Sequence, residues 1–92
     1  MTVALSKSAL SDLTDILRRI HADKPLAALK MREEFSAKFL LLASQPGIGT
    51  PGEDGETREL VVRKSYRIVY RMKGDVLWIA RIVHTAMRWP AV

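Results

Sequence analysis

Between residues 57 and 90 the chain runs TRELVVRKSYRIVYRMKGDVLWIARIVHTAMRWP, and this stretch constrains everything before it. Three short runs rich in Val, Ile, Tyr and Trp are separated by turn-like polar residues, the pattern of consecutive antiparallel strands. Side chains alternate across a strand, so Tyr66, Ile68, Tyr70 and Met72 are expected on one face and Arg67, Val69 and Arg71 on the other. In the next run Val76, Trp78, Ala80 and Ile82 fall on one side, with Leu77, Ile79, Arg81 and Val83 opposite. A sheet with one mostly apolar face needs a cover, and the first half of the chain has the pattern to supply it.

Ser6 or Ser8 offers a side-chain oxygen to cap a helix. Leu13, Ile16, Leu17 and Ile20 follow at helical spacing, which predicts a helix over 8–22. Pro25 suits the first turn of a second helix, because its missing N–H costs nothing there. Ala28, Met31, Phe35, Phe39 and Leu42 form the stripe of that helix, expected over 25–43 and ended by Pro46-Gly47. Leu40 and Leu41 fall partly off the stripe, which leaves two readings. They are buried where hairpin and sheet meet, or they line a groove for a partner helix. Val3-Ala4-Leu5 is a candidate edge strand. Residues 44–57, with four glycines, two prolines and three acids, read as a loop of functional or mobile character. The expected fold is α+β: an N-terminal helical hairpin packed on one face of a small antiparallel β-sheet built from residues 57–84.

Ninety-two residues leave room for a single domain, 1–92. The absence of cysteine removes disulfides and thiolate metal sites and fits a reducing cytoplasm. The start has the look of no signal peptide, and the apolar run at 39–43 is far too short to span a bilayer, so no membrane role is expected. Charge is unevenly placed: residues 1–56 hold seven Lys/Arg against eight Asp/Glu, whereas residues 57–92 hold eight against two. A basic sheet half implies an acidic partner, either a nucleic acid or an acidic protein segment.

Among chemistry-bearing residues, His21 and His84 lie far apart and lack the companions of a metal site, and no glycine-rich phosphate loop opens a helix. No metal or cofactor is therefore implied. If the chain cut RNA, His84 would be the base and Arg67, Arg81 and Arg88 the cations for phosphate charge. Alternation, however, sets Arg81 and His84 on opposite faces, and Glu53, Asp54 and Glu56 would repel RNA. His84 reads better as a structural residue at a strand end, and Tyr66, Tyr70 and Trp78 as core. Trp89 either folds back on the sheet or makes an exposed contact. Arg63, Arg67, Arg71 and Arg81 can be gathered on one face, where guanidinium forks would take carboxylates.

The ordered set of pieces resembles the RelE/ParE superfamily of bacterial toxins from type II toxin–antitoxin pairs. The pieces are Leu5-Ser6, Asp12-Leu13 with Ile16, and the Pro25 helix ending at Pro46-Gly-Ile-Gly49. They continue with Arg58, Tyr66-Arg-Ile-Val-Tyr70, Ile82-Val-His84 and Arg88-Trp-Pro90. The tail from His84 to Pro90 is similar to the ParE branch. That resemblance implies a non-catalytic, cytoplasmic, growth-arresting toxin that poisons DNA gyrase and is neutralised by a cognate antitoxin. The RelE branch implies instead a ribosome-dependent mRNA endoribonuclease. The antitoxin tail is expected to be acidic and partly apolar, meeting Leu40, Leu41, Arg63, Arg67, Arg71, Arg81, Arg88 and Trp89. No direct sequence-specific nucleic-acid binding is expected.

Overall fold

The computed structural model describes residues 1–85. Its elements are β1 (Thr2–Leu5), α1 (Lys7–Asp23), α2 (Pro25–Ser44), β2 (Thr50–Pro51), β3 (Arg58–Val62), β4 (Tyr66–Lys73) and β5 (Val76–His84). The two helices pack against a five-stranded sheet of order β1-β5-β4-β3-β2. All pairs are antiparallel except β1 with β5, so the first strand lies alongside the last of the described strands. The α+β expectation and the three central strands hold, and the helix boundaries fall within two residues of those expected.

The core lies between hairpin and sheet. Phe35, Leu42, Ile68, Tyr70, Leu77 and Ile79 are fully or almost fully shielded from solvent there, with Leu13, Ile16, Leu17, Ile20 and Phe39 packed around them. Ser6 wins the competition to cap α1: its hydroxyl oxygen accepts the Ala9 N–H at 3.0 Å. The same hydroxyl donates to the Ala80 carbonyl at 2.9 Å, tying the start of the helix to β5.

The facing of β5 departs from simple alternation. Tyr70 pairs with Ile79 and Val69 with Arg81, so Ala80 is an extra residue, a β-bulge. A bulge shifts the phase of the strand by one. Leu77 and Ile79 point into the core before it, and Ile82 after it. Trp78, expected in the core with Ile82, is therefore on the open face, 38% exposed and opposite Arg71 in register. Met72, at the strand end, is also exposed rather than buried.

The region 44–57 is more ordered than its composition suggests. The Tyr70 hydroxyl donates to the Pro46 carbonyl at 2.8 Å and accepts the Gly49 N–H at 2.9 Å. One Arg58 nitrogen donates to the Gly49 carbonyl at 2.7 Å. Gly49 is required by this close approach, since a Cβ there would lie 2.6 Å from the Tyr70 hydroxyl. Thr50–Pro51 then pairs with β3, and the Asp54 carboxylate caps the following turn through the N–H groups of Glu56 and Thr57 and the Thr57 hydroxyl.

Candidate functional site

β1 ends at Leu5, so beyond Ile79 the outer edge of β5 has no strand partner among the described residues. Unpaired backbone groups of a buried edge must find other partners. Side chains from the start of α1 provide them. Ser6 takes the Ala80 carbonyl, and the Asp12 carboxylate accepts the Ile82 N–H at 2.9 Å. Asp12 also holds the Arg81 guanidinium through two hydrogen bonds, at 2.7 and 3.0 Å. The hydrogen-bonded Asp12 carboxylate pushes the Arg81 pKa above its ordinary value, overriding the opposing effect of burial.

Behind this clamp is a cavity of about 210 Å³ bordered by Asp12, Asp15, Arg19, Tyr66, Arg81 and His84, with Ile16 and Ile82 as apolar wall. Arg81 and His84, both beyond the bulge, keep the expected opposite facing on β5, but the Arg81 side chain turns to Asp12 at the strand edge, so both border the same space. Tyr66 lies edge-on to the His84 ring with centroids 5.7 Å apart, and its other neighbour is Phe35 at 5.9 Å. The cavity holds a phenol, an imidazole and two guanidiniums, the types that ribose cleavage calls for. Arg81 is nevertheless engaged by Asp12, and the two carboxylates on the wall oppose an incoming phosphodiester.

The four arginines expected on one face are not gathered there. Arg63 sits in the β3–β4 turn and reaches Glu34 on α2, while Arg81 turns to Asp12 on α1. Arg67, Arg71 and Arg81 share the register of the open face, but the Arg81 guanidinium leaves it for Asp12, and Arg67 pairs with Glu59 of the neighbouring strand. Val61 and Trp78 are exposed on the same face. Leu40 is 74% exposed, whereas Leu41 beside it is half-buried. Arg88 and Trp89 lie outside the described residues.

Three features escaped the sequence. The Asp12–Arg81 clamp joins residues 69 positions apart, and nothing local marks them as partners. Ser6 was visible as a cap but not as a partner of β5. On α2, Leu26 and Leu29 are 75% and 53% exposed, although the leucine spacing that carries them was available to be read.

A helical hairpin on a small, mostly antiparallel sheet, with the first strand parallel to β5, is the architecture of RelE/ParE-like toxins. The family model described as the ParE toxin of the type II toxin–antitoxin system, parDE, matches residues 3–89, and the chain belongs to that family. A solved structure titled the chromosomal ParDE TA system from P. aeruginosa is similar, with a TM-score of 0.79 and 26% identity. The match covers 91% of this chain and 95% of that one. No curated protein matches the sequence significantly.

Proposed function

We propose that this toxin works by binding: it arrests growth by engaging DNA gyrase, and a cognate antitoxin with an acidic, partly apolar tail neutralises it. Family membership across residues 3–89 is the observation that carries this reading. The site chemistry supports it. Arg81 and Arg67, two of the cations a ribonuclease would need, are committed to Asp12 and Glu59. The excess of positive charge in residues 57–92 supports an acidic partner segment.

The rival endoribonuclease reading draws on one observation, the shared cavity of Tyr66, Arg81 and His84. One pair of assays separates the two. Purified protein is incubated with gyrase and plasmid, and in parallel with translating ribosomes. Loss of supercoiling with cleaved DNA held in the complex is expected, and mRNA is expected to stay intact. Site-specific mRNA cuts that vanish in His84→Ala, with supercoiling normal at saturating toxin, would replace the gyrase reading with the ribonuclease one.

A further inference from the structure

The open face of the sheet has a distinct end around Trp78. In register beside Trp78 are Arg71 on β4 and Ala4 on β1, and the next row along holds Thr2, Val76 and Lys73. Ala4 is too small to cover an indole and Arg71 is itself exposed, so the ring stays accessible. A single exposed aromatic is ordinary on a protein surface. The charges around this one are what set it apart.

The cations of the open face divide by position. Arg67 is paired with Glu59 and Arg81 with Asp12. Arg71 and Lys73, at the Trp78 end, are exposed and form no ion pair among the described residues. They are two residues apart on one strand, so they project to the same face about 6.8 Å apart. The two rows that hold them and Trp78 contain no acid. The flanking acids lie in loops: Asp75 in the β4–β5 turn, and Glu56, which borders a depression with Arg71, Met72 and Lys73. Glu56 tempers the local field without closing an ion pair with either cation.

We propose that this patch binds single-stranded nucleic acid without sequence preference: one base stacks on the Trp78 indole, and the neighbouring phosphates meet Arg71 and Lys73. The proposal goes beyond the gyrase reading and does not depend on it. A single strand is indicated because both faces of a base in a duplex are covered by its stacked neighbours, whereas an unpaired base offers a flat face to an aromatic ring. Sequence tolerance follows because every base has such a face, and the rows around Trp78 hold no Asn, Gln, Asp or Glu to read base edges. An acidic peptide fits less well. Its charge would be met, but beside Trp78 these rows offer its apolar anchors only Ala4 and Val76, too little to seat them.

The test follows the fluorescence anisotropy of a labelled oligothymidine single strand at low salt, with the matching duplex alongside. It compares wild type, Trp78→Ala, Trp78→Phe, Arg71→Ala and, as a control cation elsewhere, Lys30→Ala on α2. Neither gyrase nor antitoxin is present, so the result is separate from the toxin reading, and thermal melts confirm that each variant folds. The single strand is expected to bind about tenfold more tightly than the duplex. Trp78→Ala should weaken it about fivefold or more, whereas Trp78→Phe and Lys30→Ala should stay within about twofold of wild type. In a plot of log affinity against log salt, Arg71→Ala should make the slope shallower by about 0.7, the share of one phosphate on a single strand. In a Trp89→Phe background Trp78 is the single tryptophan, and its fluorescence should be quenched on binding. No binding by wild type would overturn the proposal. So would a duplex that binds as tightly as the single strand, or an affinity that falls as much in Lys30→Ala as in Trp78→Ala, since either reduces the contact to general charge attraction. If Trp78→Ala fails to fold, an unquenched Trp78 with an unchanged slope in Arg71→Ala overturns it instead.

Discussion

Arg63 and Lys64 are the central residues of the turn between β3 and β4, and both have positive φ, 53° and 64°. The Ser65 N–H closes the turn on the Val62 carbonyl at 3.2 Å. Hairpins use this geometry because its twist matches the strands, but residues with a Cβ pay roughly 1–2 kcal/mol each to adopt it. Lys64→Gly is therefore expected to stabilise the fold by about 0.5–1 kcal/mol, net of the extra freedom glycine gives the unfolded chain. For a domain of this size that is a rise of about 2–8 °C in a thermal melt. Arg63 is a poorer choice for the same exchange, since it would lose its pair with Glu34. Asp54 has a pH signature. Its carboxylate accepts from the Thr57 and Glu56 N–H groups and the Thr57 hydroxyl, which lowers its pKa from 3.8. A carboxylate whose folded pKa is lowered contributes stability that is fully present above the unfolded value and lost as pH falls through the folded one. The melting difference between wild type and Asp54→Asn should accordingly be largest near neutral pH and close below 3.8.

Between elements, the join of α1 to β5 depends on Asp12. Asp12→Ala strands the Ile82 N–H and removes the carboxylate that Arg81 grips, at an expected cost of about 2 kcal/mol, moderated because the guanidinium is partly solvated. Asp12→Asn keeps an oxygen for the Ile82 N–H and should cost about half as much in chemical denaturation. If the two variants melted alike, the backbone contact would not be the part that matters. This join shows where sequence reading stops. Strands β3 to β5 were legible because apolar residues recur at period two between turns. The bulge was not, because both phases of β5 are apolar: Val76, Trp78 and Ile82 in one, Leu77, Ile79 and Val83 in the other. No polar residue marks the slip at Ala80, and the parting of Trp78 from Ile82 onto different faces follows from it. Likewise the four arginines looked like one face only while Arg63 was counted as strand. Its place in the turn removes it. The hairpin was legible from its stripes and Pro25, but its second apolar face was masked by the stronger buried one.

At the scale of the molecule, the charge imbalance should govern encounter more than grip. Exposed pairs contribute only about 0.2–1 kcal/mol each, while the field of several cations acts over a Debye length of about 10 Å at 0.1 M salt. Association with the antitoxin is expected to slow as salt rises from 50 to 500 mM, with dissociation changing much less; stopped-flow measurement of both rates decides it. The order β1-β5-β4-β3-β2 has a different consequence. β5 lies inside the sheet, between β1 and β4, and gives the core Leu77, Ile79 and Ile82. During synthesis, residues 1–75 alone can form a hairpin of helices and a partial sheet, but the slot between β1 and β4 stays empty. Pairings of such long sequence separation are slow to close. A ribosome making this protein therefore carries a chain with an unfinished core until β5 has emerged, and the molecule acquires its full shape only at the very end of its synthesis.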